Sequence, residues 1–209
     1  MMTLDHLGVL LYPELIFLRI IGRLAFPLFA YLLALGLKST RKPRKYIITL
    51  LIFGLISQIP YFSVFNIQPF ERLNIFFSLF LGALTIYYFK KKSFLAFVPI
   101  ILSLVFNTEG SLYVVLTILF MNLLLDDKKI GVLTLFALNL PFLFESNIQS
   151  NIQVFALATL PLVLLHLAKR LKFEIIISDN SFLYAIRKYF FYVYYPLHLA
   201  ILFMLSNAI

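Results

Sequence analysis

Four ionisable residues stand inside apolar stretches of this chain: Asp5, His6, Arg19 and Arg23. An imidazole takes or gives a proton near neutral pH, and a guanidinium holds developing negative charge, so these types together suit proton transfer with oxyanion stabilisation. A charge at bilayer depth costs about 2.5–3.5 kcal/mol even on the lenient insertion scale, so each needs a reason to be there. Gln58, Asn74 and His198 are the other polar candidates within or opening apolar runs.

The turn Tyr12-Pro13-Glu14 gives a depth ruler. At 1.5 Å per residue, Asp5 and His6 lie roughly 11–13 Å below it, and Arg19 and Arg23 roughly 8 and 14 Å below it on the next helix. The four groups therefore converge in depth on a helical hairpin. Arg19 and Arg23, four apart, share a helix face, whereas Asp5 and His6 point about 100° apart. Asp5 is expected to pair with Arg23 or Arg19, leaving His6 to face a cavity. Plainer duties stay open: a fold-specifying ion pair at Asp5, and interhelical hydrogen bonding at Gln58 and His198.

The elements that must hold these residues are membrane helices. Hydrophobic residues make up 62% of 209 positions and charged ones 13%, about half the share a soluble domain carries on its surface. Lipid must then be the solvent for most of the exterior. The 24 Phe and 12 Tyr agree with that. Apolar stretches fall at 1–12, 15–37, 46–65, 74–89, 93–106, 112–125, 130–144, 152–168 and 189–207. The reading is all-α: a single transmembrane domain over 1–209, a polytopic bundle of about nine spans. Several stretches are shorter than the roughly 20 residues needed to cross the hydrocarbon. Ser57, Gln58 and Pro60 are expected to break the third span.

Fifteen of the 18 basic residues occupy alternate connections. These are Lys38 to Lys45, Lys90 to Lys92, Lys128 with Lys129, and Lys169 to Lys188. The intervening connections hold one, Arg72. The positive-inside rule then places the amino terminus inside and the carboxyl terminus outside. The apolar EIII run near 174–177 is expected as an interfacial piece on the inner leaflet. No charged n-region with a cleavage site precedes the first apolar run, so no cleavable leader is expected.

Other chemistry is excluded quickly. With no cysteine, disulfides and thiolate ligation are absent. Histidines at 6, 166 and 198 lack metal-ligand spacing, and no HExxH, glycine-rich phosphate loop or GxSxG occurs. No metal is expected, and the distribution of the +9 charge reads as topology and lipid attraction rather than nucleic-acid binding.

The strings DHLG at 5–8, LRIIGRLAFPLFAYLLALG at 18–36, LIFGLISQIPYF at 51–62, LNIFFSLFLG at 73–82 and YYPLHL at 194–199 resemble the TraX family of membrane acetyltransferases. That family is similar in turn to a wider transmembrane acyltransferase superfamily. Its DHxG motif falls on Asp5, His6 and Gly8; GRxxFPxF falls on Gly22, Arg23, Phe26, Pro27 and Phe29; SQxPY falls on Ser57, Gln58, Pro60 and Tyr61. The resemblance implies a bacterial cytoplasmic (inner) membrane enzyme. Acetyl-CoA would be the donor, and the acceptor an extracytoplasmic amine or hydroxyl on a pilin amino terminus or an envelope glycan or peptide. His6, Asp5 and Arg23 would be catalytic. Arg19, Gln58, Asn74, His198, Arg41, Lys42, Arg44 and Lys45 would bind substrate or donor, the last four through the CoA nucleotide.

Two departures stand out. In the family the first helix extends upstream of DHxG, so this one is expected to be truncated, its twelve residues making only about 18 Å. NTEGS at 107–111 stands where an Asp-Tyr-Gly type of element is expected, with Glu109 as the replacement acid. The alternative class is a proton-coupled transporter or lipid flippase using Asp5, Arg23 and His198 as a relay. Inverted repeats that would support it are not evident.

Overall fold

The computed structural model describes residues 1–169 and 181–206. The EIII run expected at the inner leaflet lies outside them. The described chain is helical: α1 (Met2–Leu10), α2 (Ile16–Arg23), α3 (Ala25–Ser39), α4 (Pro43–Phe65), α5 (Ile75–Lys90), α6 (Phe97–Val105), α7 (Ser111–Asp126), α8 (Lys128–Asn139), α9 (Ile148–Asn151), α10 (Thr159–Leu167) and α11 (Ser181–Ser206). Three 3₁₀ turns, Phe94–Ala96, Leu140–Phe144 and Ile152–Ala158, join or extend them. Among the described residues, three helical stretches suffice by length and composition to cross a membrane: Ile16–Ser39, Pro43–Phe65 and Tyr189–Ser206. The helices 75–90, 94–105, 111–126 and 152–167 are apolar and shorter.

Prolines explain the interruptions. Pro27, Pro99 and Pro161 each occupy the third position of a helix that restarts after a break or a 3₁₀ turn. There the missing N–H would have been unpaired in any case. The long apolar stretch at 15–37 is accordingly not continuous, since α2 and α3 meet at Leu24, whose N–H turns back to the Ile21 carbonyl at 3.2 Å. Pro60 behaves otherwise. The expected break at 57–60 does not occur, and α4 runs through it to an Asn66 cap at φ 50°. A proline removes one ladder bond, and packed neighbours in a bundle can accept the freed groups.

Helix α4 shows which solvent the fold was built for. Ile48, Ile52, Leu55, Ile56 and Ile59 form one exposed apolar stripe, while Gly54, Ser57, Gln58 and Tyr61 face inward. Leucine and isoleucine gain little by leaving lipid for protein, so small and polar side chains take the interior and join the helices. Asn74 does this directly. It caps α5 by accepting from Phe76 N at 3.0 Å and donates to the Gly54 carbonyl (2.7 Å) and Gln58 Oε1 (2.8 Å).

Helix α7 packs against α3, α5, α6 and α8, while α11 lies along α4 and touches α1. A two-segment clasp ties the loop before α5 to the loop before α7: Leu73 N donates to the Asn107 carbonyl and Glu109 N to the Leu73 carbonyl, both at 2.8 Å. This clasp fixes Glu109 opposite α1.

Candidate active site

Helices α1 and α2 form a tight hairpin whose closest approach is Gly22. A Cβ there would overlap Asp5 Cβ and stand 2.6 Å from its carboxyl carbon, so only glycine leaves room for that carboxylate. Asp5 Oδ1 lies 3.3 Å from Arg19 Nε and 3.5 Å from Arg23 Nη2. Arg23 Nη1 also donates to Gln153 Oε1 at 3.0 Å. The guanidinium is thereby held between two elements far apart in sequence. Asp5 pairs with both arginines that the depth ruler and helix faces had offered.

His6 points away from Asp5, as the 100° separation requires. Its Nδ1 lies 3.0 Å from His198 Nε2. The two rings are parallel to within 2° with centroids 5.2 Å apart. With the nitrogens in contact along that line, the rings lie end to end in one plane rather than face to face. His198 Nδ1 stands 3.0 Å from the Tyr194 carbonyl. A carbonyl only accepts, so the hydrogen sits on His198 Nδ1, and His198 Nε2 must accept from His6 Nδ1–H. What remains on His6 is Nε2, 3.9 Å from Glu109 Oε1: a lone pair in the neutral ring, and an N–H aimed at the carboxylate once the ring is protonated. Thr3 and Tyr194 join α1 to α11 through their hydroxyls one turn away.

Glu109 is seated by the turn that carries it. Gly110 at φ 71° takes the left-handed conformation, and Ile75 N donates to Glu109 Oε2 at 3.1 Å. Tyr195 donates to the same oxygen at 3.4 Å. Burial pushes this carboxyl up. With His6 protonated, its N–H and charge, then the charge of Arg72 and the Tyr195 hydroxyl, outweigh burial and hold it below the usual glutamate value.

These groups line one end of a cavity of about 700 Å³. Asp5, His6, Arg19, Arg23, Arg72 and Glu109 form its polar wall. Along α4 the lining runs from Tyr46 to Phe65, a rise of about 28 Å along the helix. Leu32, Leu33, Leu50 and Leu79 line the apolar remainder. The arrangement joins a basic nitrogen, a carboxylate able to support its cation, and guanidiniums able to meet developing negative charge.

Other sequence candidates lie elsewhere. Gln58 and Asn74 do not line the cavity; their amides are used on each other, on the Gly54 carbonyl and on the Arg72 carbonyl, to which Gln58 Nε2 donates at 2.8 Å. His198 is buried behind His6 rather than at the wall. Arg41, Lys42, Arg44 and Lys45 stand at the start of α4 outside the cavity, with Arg44 Nε donating to the Tyr87 hydroxyl at 2.9 Å. His166 Nδ1 meets the Tyr31 hydroxyl at 2.6 Å. Among the described residues no His/Cys/Asp/Glu group is arranged to hold a metal ion.

Sequence reasoning did not select Gln153, Tyr113, Tyr195 or Arg72 as wall residues. Tyr113, four residues past Glu109, donates to Asn139 Oδ1 at 3.1 Å, and Tyr195 lies inside the YYPLHL string already noted. Gln153 gave no signal beyond its place in a short polar run.

Apolar helices with lipid-facing stripes around a polar-walled chamber define a helical membrane protein. A family model described as "TraX protein" matches residues 1–206, and the chain belongs to the TraX family. It is also similar to an uncharacterized protein of Rickettsia prowazekii (strain Madrid E), 42% identical over 91 residues. That match covers 44% of this chain and 34% of the relative, so the chain spans well under half of the relative's own length. No solved structure matches it significantly.

Proposed function

We propose that this protein transfers an acetyl group from acetyl-CoA to an amine or hydroxyl on the extracytoplasmic side of a bacterial inner membrane. In this reading the basic loops face the cytoplasm, the amino terminus is inside and the carboxyl terminus outside, and nine helical segments traverse or line the bilayer. The observation that carries it is the His6 Nε2 lone pair, fixed by the His198 and Tyr194 bonds at the wall of a cavity running most of the depth of α4.

The cytoplasmic end of α4 carries Arg41, Lys42, Arg44 and Lys45, which suit the CoA phosphates and raise their local concentration. The narrow arm of the donor then follows the apolar lining past Tyr46 and Leu50, bringing the thioester to His6. The acceptor N–H or O–H attacks the thioester carbon while His6 Nε2 takes its proton. Arg23 and Arg19 meet the charge that develops on the carbonyl oxygen. The new N–C or O–C bond forms, the C–S bond breaks, and the His6 proton passes to the departing CoA sulfur. Glu109 stabilises the intervening imidazolium from 3.9 Å. A pilin amino terminus and an envelope peptide or glycan are the acceptor classes suggested by the resemblance.

The test is thermal unfolding of purified protein with and without CoA. Saturating CoA, about 100-fold above its Kd, raises stability by about 2.7 kcal/mol. A proton-coupled carrier or flippase built on Asp5, Arg23 and His198 gives no such rise, and that result overturns the proposal.

A further inference from the structure

We infer that Arg72 recognises an anionic group on the acceptor, so that the substrate class is an amine or hydroxyl bearing a carboxylate or phosphate close to the nucleophile. This inference rests on the acyl-transfer reading of the same cavity. Among the described residues, three guanidiniums and two carboxylates line the polar wall. Asp5 is engaged by Arg19 and Arg23, and Glu109 by Ile75 N, Tyr195 and His6. Arg72 is the lining cation left over: among the described residues its guanidinium makes no hydrogen bond or ion pair.

Its backbone, by contrast, is tied down. The Arg72 carbonyl accepts from Gln58, and its neighbour Leu73 is clasped between Asn107 and Glu109. The side chain thus springs from a fixed base beside Glu109, is solvent-exposed, and reaches the cavity wall. It is also the lone basic residue in connections otherwise free of positive charge, which makes it costly for membrane orientation and useful only locally. An exposed planar guanidinium with free donors at a cavity wall matches carboxylate or phosphate geometry. The competing duty is long-range support of the Glu109 charge, and the two roles differ in what they do to acceptor choice.

Matched small acceptors separate them. Phosphoethanolamine is compared with ethanolamine, and alanyl-alanine with alanyl-alanine amide, using the full chain in detergent with labelled acetyl-CoA. Wild type is expected to prefer each anionic member by about 10-fold or more in kcat/KM, the range of a charge-assisted hydrogen bond. Arg72→Gln brings each ratio close to one, and Arg72→Lys retains part of it. Preference for only the phosphate pair, or only the carboxylate pair, identifies which anion the acceptor carries. Equal use of both members by wild type, or an unchanged ratio in Arg72→Gln with both rates lowered alike, overturns the inference. Thermal stabilisation gives a readout independent of turnover: the anionic members protect wild type more than Arg72→Gln, and equal protection overturns the inference. Failure of CoA itself to stabilise the protein instead overturns the acyl-transfer reading beneath it.

Discussion

His6 Nδ1 and His198 Nε2 are 3.0 Å apart in coplanar rings, and that bond decides which nitrogen of His6 is basic. The Tyr194 carbonyl orients His198, His198 orients His6, and Nε2 is left facing Glu109 and the cavity. In the proposed acetyl transfer His198 would be a positioning residue, acting through His6 without touching the reacting atoms.

His198→Phe removes the acceptor and frees His6 to take the other tautomer. Acetyl transfer is expected to fall about 10²-fold, the lower range of general-base catalysis, with little change in KM for the donor. His198→Gln keeps an acceptor oxygen and should recover part of the loss. Equal activity of wild type and His198→Phe in steady-state kinetics would remove this bond from the mechanism.

Acid should expose the role of Glu109. Its native pKa is lowered, so the ionised group contributes stability that is complete above the unfolded glutamate value of about 4.3 and is lost as pH falls through the lower native value. The difference in melting temperature between wild type and Glu109→Gln in detergent should be flat above about pH 4.3 and shrink below it. A difference that grows with acidification contradicts the assignment.

Asn74→Ala should behave as a packing lesion. It removes the α5 cap, leaving Phe76 N without its acceptor, and takes one donor each from Gln58 Oε1 and the Gly54 carbonyl, at about 1 kcal/mol for the lost cap. Melting temperature falls, while KM for acetyl-CoA in the surviving folded protein stays at the wild-type value. A raised KM without loss of stability would return Asn74 to substrate binding.

The hairpin was legible in the sequence because helix geometry is rigid: a fixed rise set the depth of Asp5, His6, Arg19 and Arg23, and a fixed rotation turned Asp5 from His6. Long-range partners were less accessible. Nothing in local spacing brings His198 to His6 across 192 positions, or Gln153 to Arg23 across 130. Proline position misled in both directions. Pro60 stands deep in α4 without ending it, while Pro27 marks a restart inside a stretch that hydropathy alone reads as continuous. Glu109 was visible as an acid in the right turn, but its reach to His6 depends on the clasp between Leu73 and residues 107–109. Gln58 and Asn74 looked like ligands because polar groups are rare in these helices; in lipid such groups also serve as interhelical glue.

In the proposed mechanism the His6 imidazole carries the proton of acetyl transfer. Membranes containing wild type or His6→Ala at matched protein levels, supplied with labelled acetyl-CoA and the matched amine acceptors, test it directly. Time-dependent labelling of acceptor by wild type and a loss of about 10²–10⁴-fold in His6→Ala are expected. Labelling by His6→Ala at the wild-type rate would contradict that mechanism.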